Sequence, residues 1–396
     1  MSKYREVTVE GVAALAREDW ERVCDPDRNV FMDPRFLAVL ERGLGKEYRQ
    51  WMTLLYDGER PIAAACFSRM IVDGAMFAPA GVRRGIERIR KVWPSFLKFK
   101  LLVGGLPIST GQPEGQIATA PEAEMAEVAR LLDATAVRLA KESGAKFITI
   151  KEFAPEMMER LKGLSALGYQ KCSSVVTHTL ELEQGTFEEY YEARSKRTRA
   201  NMRKVFAKLE ASGLEVVALQ GEEAAARFTP EMHRLYEAVF DRSEAKFEYM
   251  PLEFFQELAR GFPRDAYFTY LSQGGKPVAF CCAVASARQH NMLYCGIDYA
   301  LNPEADLYFN TLYKGLAQGF REGVERIKVG AAADEFKKRL GCTQTPLGFY
   351  VKVIGRVPGF CFRLAAPLLF PPTGVGNADS GDQAGARQGG TDGNGD

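Results

Sequence analysis

Apolar positions along this chain alternate between two spacings, and the order in which they alternate occurs twice. Residues 50–70, "QWMTLLYDGERPIAAACFSRM", are two apolar runs about a D-G turn, which predicts a hairpin. Residues 123–144, "AEMAEVARLLDATAVRLAKESG", repeat their apolar side every three to four residues and predict a helix closed by Gly144. "KFITI" (146–150) reads as a buried strand. "ERLKGLSALGYQKCSSVVTHTLEL" (159–182) reads as a helix, an L-G break and a strand.

The order then returns. "AYFTYLSQGGKPVAFCCAVAS" (266–286) is again strand, Gly turn, strand, and "HNMLYCGIDYA" (290–300) a further strand. A helix at 306–324, a short strand at 326–329, a helix and L-G break at 334–342 and a strand at 346–355 complete the set. "YDGERPIAAAC" matches "SQGGKPVAFCC", and "RLKGLSALGY" matches "DEFKKRLGC". A tandem duplication of one mixed α/β unit accounts for both matches. The expected division is 1–180 and 181–356, then an apolar, Pro-containing extension at 357–372. Residues 373–396 form a Gly-rich tail whose composition predicts disorder.

Composition narrows the classes. The 396 residues are 46% hydrophobic and 26% charged with formal net charge +1, so no overall electrostatic attraction to DNA is expected. The eight cysteines contain no C-x-x-C pair, which speaks against a zinc ribbon or a disulfide framework and fits a reducing cytoplasm. No metal site is expected. The opening "MSKYREVTVEG" has no apolar stretch of the secretory kind. The longest apolar run, "VPGFCFRLAAPLLFPP", is too short to span a bilayer and is broken by prolines. Burial against the core and peripheral contact with a membrane both remain open for it.

Charge is concentrated in one place. "ARSKRTRANMRK" (193–204) holds Arg194, Lys196, Arg197, Arg199, Arg203 and Lys204 with no acid. Ser195 is a good N-cap for a helix reaching about Ala211, with Gly213 as its stop. Met202, Val205, Phe206 and Leu209 form its apolar stripe, so the basic residues project outward. Cations at a helix N-terminus oppose the macrodipole, which favours a bound anion; a solvated face remains open. No aromatic interleaves the basic residues, so duplex binding is not expected.

Nucleophile-elbow, Walker A, H-E-x-x-H and dinucleotide motifs are absent in any supporting context. His178, His233 and His290 are the only histidines, and His178 lies in an alternating strand where a structural role is usual. The second unit offers a polar set. Tyr294 and Asp298, four apart on one expected strand, share a face. Asn310 and Tyr313 share a helix face. Lys337 precedes an L-G break, and Tyr350 lies in the closing strand. Tyr, Asp and Lys together can position an amine nucleophile and stabilise an acyl-transfer oxyanion. Lys337 also suits a helix C-terminus, and Tyr294 and Tyr350 also suit a core edge.

The repeated unit resembles the GNAT acyltransferase fold, and more narrowly the FemAB-like branch with two fused GNAT units. Three stretches carry the likeness: "SKRTRANMRKVFAKLEASGLEVV" (195–217), "LYCGIDYALNPEADLYFNTLYKGLAQGFREGVERIKVG" and "DEFKKRLGC". It spans about residues 30–352. It implies an α/β (mixed α+β) fold of two tandem GNAT-like domains, each a mixed central sheet flanked by helices, the first of them expected to be degenerate. It maps the family's helix pattern onto Ser195, Arg199 and Arg203, with Arg199 and Arg203 as substrate contacts, and places the cleft-facing lysine at Lys337. It implies an N-acyltransferase acting on an amine of a small molecule or a cell-envelope or polysaccharide precursor, with acyl-CoA (acetyl-CoA) as co-substrate. Two departures stand out: "KVGAA" (328–332) lacks the family's acid at that strand end, and no R/Q-x-x-G-x-G/A loop is present. The second leaves aminoacyl-tRNA open as the donor, and the two together leave open a non-catalytic binding protein.

Overall fold

The computed structural model describes residues 3–355 apart from 74, 76–79, 109–114, 184, 244–248 and 332–333. The segments 357–372 and 373–396 lie outside the described residues.

The first half runs β1 (Arg5–Glu10), α1 (Arg17–Val23), α2 (Pro34–Gly43), β2 (Arg49–Asp57), β3 (Arg60–Asp73), α3 (Ala80–Arg90), β4 (Lys98–Gly104) and β5 (Ile117–Thr119). It continues with α4 (Met125–Ser143), β6 (Phe147–Phe153), α5 (Pro155–Arg160), α6 (Gly163–Ala166) and β7 (Gln170–Glu181). The second half runs α7 (Phe187–Glu192), α8 (Lys196–Ala211), β8 (Glu215–Leu219), α9 (Gly221–Arg227), α10 (Pro230–Arg242), α11 (Leu252–Gly261), β9 (Ala266–Gln273) and β10 (Lys276–Ala285). Then follow β11 (Gln289–Ile297), α12 (Asn302–Ala305), α13 (Leu307–Arg321), β12 (Arg326–Gly330), α14 (Asp334–Arg339) and β13 (Thr343–Val353).

These strands make one mixed sheet, ordered β1-β2-β3-β4-β6-β13-β7-β12-β11-β10-β9-β8, with β5 beside β3. The order is symmetric about its middle. β1, β2, β3, β4 and β6 correspond to β8, β9, β10, β11 and β12, and each half's last strand crosses over. β7 pairs with β12 of the second half, while β13 pairs with β6 of the first. The two crossing strands pair with each other, antiparallel.

Local details repeat as well. Both hairpins carry one extra residue, Ile62 in the first and Val278 in the second, where Ala63 opposes Leu55 and Ala279 opposes Leu271. The carbonyls of Ile62 and Val278 then accept the N–H groups of Ala120 and Asp298, both at 2.8 Å. At the two L-G breaks, Tyr169 N–H donates to Leu164 O and Cys342 N–H to Lys337 O, both at 3.1 Å. Gly168 and Gly341 take φ of 92° and 87°, a conformation only glycine adopts cheaply, which is why the break needs it.

The halves differ at one strand. In β11 a single extra residue, Leu293, separates the pairs Cys282–Tyr294 and Ala283–Met292. In the first half the strand is cut at this point. Gly104 pairs with Phe67 and Ile117 with Ala65, so twelve residues separate the two pairings where the second half has one extra residue.

A shared core joins the halves. Phe36, Leu37 and Leu40 of α2 and Phe254, Phe255 and Leu258 of α11 are fully buried in one cluster, with Phe228, Phe268 and Phe280. Glycine closes the contact from both sides. An added Cβ at Gly43 would lie 2.6 Å from Phe254 Cα, and one at Gly261 would lie 2.5 Å from Val39 Cγ2. "PRFLAVLERG" and "LEFFQELARG" are the two copies of this helix. Three further clusters fill the faces around α4, around α8 and α13, and beneath α12.

Candidate functional site

β11 and β12 run parallel only as far as the pair Asn291–Lys328. Beyond it β11 continues to Ile297 beside β10 alone, so the two strands part and leave a wedge at their C-terminal ends. Diverging ends of parallel strands are where α/β folds place ligands, because the backbone there is not consumed by its neighbour.

Lys337 reaches this wedge from α14. It is 3% exposed, and its Nζ donates to Val329 O at 2.8 Å. The next carbonyl, Gly330 O, is met by Nδ1 of His178 at 3.1 Å, from the crossing strand β7. A carbonyl only accepts, so Nδ1 carries the proton and Nε2 accepts from the Gln344 amide at 3.0 Å. His178 is therefore held at both ring nitrogens as a fixture of the strand end. Burial pushes the thiols of Cys295 and Cys342 up to about 11, and the nearby Lys337 ammonium opposes both shifts. Both thiols are thus protonated at neutral pH. Leu340 O of the L-G break accepts Tyr190 Oη at 2.8 Å and Arg194 Nη1 at 3.0 Å, which fixes the turn carrying Lys337.

The other expected residues are placed differently. Asp298 is not on the strand with Tyr294: β11 ends at Ile297, and Asp298 opens a turn, its Oδ1 accepting the Ala300 N–H at 2.9 Å. It lies on the wall of a groove of about 580 Å³ with Arg234 and Arg242 of α10. Tyr294 faces α10 and α11, with ring centroids 5.5 Å from Tyr236 and 5.7 Å from Phe255. Cys295, the next residue, turns to the side that carries α13 and α14. Tyr294 and Asp298 thus look toward α10, and Lys337 belongs to the other side of the sheet.

Asn310 is fully buried and ties two helices, its Nδ2 donating to Val205 O at 3.0 Å and Ala305 O at 2.8 Å. Tyr313 is buried edge-on against Phe206, and burial raises its phenol well above the usual value. Tyr350 is 1% exposed and sits in the first half's core, its hydroxyl donating to Met158 O at 2.7 Å. Strand crossing explains the last placement, since β13 leaves its own half to pair with β6.

Ser195 caps α8 as expected, its Oγ accepting Thr198 N–H at 3.2 Å. The charge on that helix divides in two. Arg199 Nη1 donates to Glu192 O at 2.8 Å and Arg194 O at 2.7 Å, so it serves the negative end of α7. Lys196, Arg197, Arg203 and Lys204 are exposed on one outward face and form no ion pair among the described residues.

A helix N-terminus normally offers free N–H groups to a phosphate. At the N-terminus of α13, which follows β11, part of that offer is already taken up and an acid is present. Asp306 stands at its N-cap with φ 45° and pairs with Lys208 at 3.1 Å. The Tyr308 N–H of its first turn is already bonded to Asn302 Oδ1 at 3.0 Å. The residues here do not fit a coenzyme A pyrophosphate. Among the described residues no group of three metal-binding side chains occurs, and no helix is long and apolar enough to cross a membrane.

Lys328, 3% exposed on the face of β12 opposite Val329, was not anticipated; a lysine inside the apolar run "RIKV" is the signal that could have found it.

The fold and the wedge define a double GNAT unit. A profile of the FemAB-like family, described as peptidoglycan biosynthesis/recognition, matches residues 98–347, and the chain belongs to that family. A tandem GNAT protein from the clavulanic acid biosynthesis pathway is similar at TM-score 0.52 and 12% identity, covering 89% of this chain and 99% of that one. FemX is similar at TM-score 0.50 and 11% identity, covering 79% and 89%. L-PGS from Bacillus licheniformis aligns at TM-score 0.43 and 13% identity, covering 78% and 86%. No curated protein matches the chain.

Proposed function

We propose that this protein forms an amide on an amine-bearing cell-envelope precursor, with an aminoacyl ester as donor and Lys337 as the electrostatic partner of the reaction. The amine attacks the ester carbonyl and a tetrahedral oxyanion forms. The Lys337 ammonium stabilises that charge in a site with little water, where such an interaction is strongest. Collapse expels the donor's hydroxyl, which takes the proton released by the amine. Asp298 and Tyr350 carry no part of this reading: one lies in the α10 groove and the other in the first half's core. Arg203, with its exposed neighbours on α8, is the proposed contact for the phosphates of an RNA-linked donor.

One observation supports the ester donor over acyl-CoA. The N-terminus of α13 carries an acid, and the Tyr308 N–H of its first turn is satisfied internally. Membership of a family described by peptidoglycan biosynthesis supports the envelope precursor. Acyl-CoA remains the second reading, favoured by the likeness to a tandem GNAT protein whose description names AcCoA.

The test is a donor screen read by mass spectrometry. Purified protein is incubated with an amine-bearing envelope precursor and either charged tRNA or acetyl-CoA. Amide product with charged tRNA alone is expected, and it should disappear in Lys337→Met. Product with acetyl-CoA alone would reverse the donor assignment.

A further inference from the structure

One cation of the basic stretch does not belong to the exposed face of α8. Lys196, Arg197, Arg203 and Lys204 are exposed, whereas Arg194 is half-buried and reaches the L-G break that carries Lys337. Its Nη1 donates to Leu340 O at 3.0 Å, beside the Tyr190 hydroxyl at 2.8 Å. Its guanidinium lies over the ring of Tyr190, 4.6 Å from the centroid, and Tyr190 is fully buried at the core of α7. The carbonyl of Arg194 accepts Arg199 Nη1 at 2.7 Å, so the backbone at this residue is held from α8 as well.

Gly341 makes room for the grip, since an added Cβ there would collide with Arg194 Nη1. Gly168, at the first half's break, has open space instead: the nearest atom to an added Cβ is Lys352 Cε at 4.0 Å. The two breaks therefore share a backbone and differ in what holds it. The gripped turn is the one with Lys337. The N–H groups of Leu340 and Cys342 both donate to Lys337 O at 3.1 Å, and Leu340 O is the carbonyl that Arg194 takes. Burial raises the Cys342 thiol, and Lys337 and Arg194 both oppose that shift, so the two side chains lie about one thiol. Lysine has a flexible four-carbon stem, and its Nζ is aimed only as well as the turn beneath it is fixed. A planar guanidinium stacked on a buried ring is a stiff way to fix it.

We propose that Arg194 is a positioning residue: it clamps the Leu340–Cys342 break against α7 and so holds Lys337 Nζ at the parting of β11 and β12. The inference rests on the reading of Lys337 as the electrostatic partner of amide formation. It also withdraws Arg194 from the cations available to a donor's phosphates.

Two measurements on the full chain test this, and the first needs no substrate. Acylation of lysines by an N-hydroxysuccinimide ester, located by peptide mass spectrometry, reports access to Lys337, with its exposed neighbour Lys338 as internal reference. Loss of a hydrogen bond from a charged donor in Arg194→Met should raise Lys337 labelling on the order of tenfold. Tyr190→Phe keeps the ring and removes the other bond to Leu340 O, and should raise labelling in the same sense. The second measurement is turnover with charged tRNA and an amine-bearing precursor. In Arg194→Met, kcat should fall on the order of a hundredfold with KM for the charged tRNA unchanged. Arg194→Lys keeps the charge without the planar fork and should share the defect. In a Lys337→Met background Arg194→Met should cost nothing further, because it acts through that side chain. Unchanged labelling of Lys337 in both variants would overturn the proposal. So would a raised KM with kcat intact, full activity in Arg194→Lys, or a further loss in the Lys337→Met background. Failure of the underlying reading looks different: Lys337→Met is then fully active while Arg194→Met still opens Lys337 to the reagent.

Discussion

Leu164 and Lys337 hold the same position in two copies of one turn. Each is the residue whose carbonyl accepts the N–H beyond an L-G break, and each side chain points inward. In the first half the side chain is a leucine buried in the core beside α4; in the second it is a lysine, equally buried, that donates to Val329 O at the end of β12. The neighbouring strand differs in the same sense. Where β11 keeps one bulged residue, the first half is interrupted between Gly104 and Ile117. Duplication supplied two equal frames. One was closed with hydrocarbon and elaborated by a projection, α3, between β3 and β4. The other kept a buried lysine at the parting of its strands. Burying an amine that can ionise is costly, which is the reason Lys337 carries the proposed reaction.

This comparison can be broken experimentally. The largest effect is expected for Lys337→Met, which makes the second frame resemble the first. Single-turnover amide formation should fall on the order of a thousandfold, with the melting temperature unchanged or raised. Preserved turnover would mean that both frames are inert at this position. The reverse change, Leu164→Lys, buries a charge without a prepared partner and should cost about 3 kcal/mol or more in a denaturant titration. A tolerated lysine would show that the first frame also admits water or an anion.

Gly261→Val pushes α11 off α2 and should cost about 1–3 kcal/mol. Because α2 and α11 share one core, tryptophan emission, which samples the first half, and far-UV circular dichroism should still lose signal in one transition. Two separated transitions would show that the halves are energetically distinct. The smallest effect concerns the projection. The Arg90 guanidinium holds the Asp73 carboxyl below the usual carboxylate range. Its contribution is therefore complete above the ordinary carboxylate value and is lost as pH falls through the lowered one. Amide exchange in α3 should rise at acid pH before exchange in the sheet does. Equal protection in both would show that the pair does not anchor the helix.

Much of the frame was legible in the sequence, because hairpins, L-G breaks and the Gly144 stop are set by local chemistry. The copy relation of α2 and α11 was equally written in "PRFLAVLERG" and "LEFFQELARG", each with a clear apolar stripe, but both lie outside the hairpin and L-G segments that carried the match. The site was less legible, for a topological reason. Tyr350 was expected near Lys337 because it follows it closely in sequence, yet β13 carries it into the other half. His178 was read as structural because it lies in an alternating strand, and nothing local shows that β7 delivers it to the second half's strand end. The same limit applies to Asp298: one residue of strand length decided whether it shared a face with Tyr294 or opened a turn.

The crossing of β7 and β13 also has a consequence in time. During synthesis β6 emerges with one edge of its final sheet missing, and the strand that fills it is the last one made. β7 likewise waits for β12. The N-terminal half is therefore an unfinished sheet with an open edge for most of translation, and its closing contacts are among the longest-range in the chain. The β6 edge can therefore take its final partner only once residues 343–353 have been made.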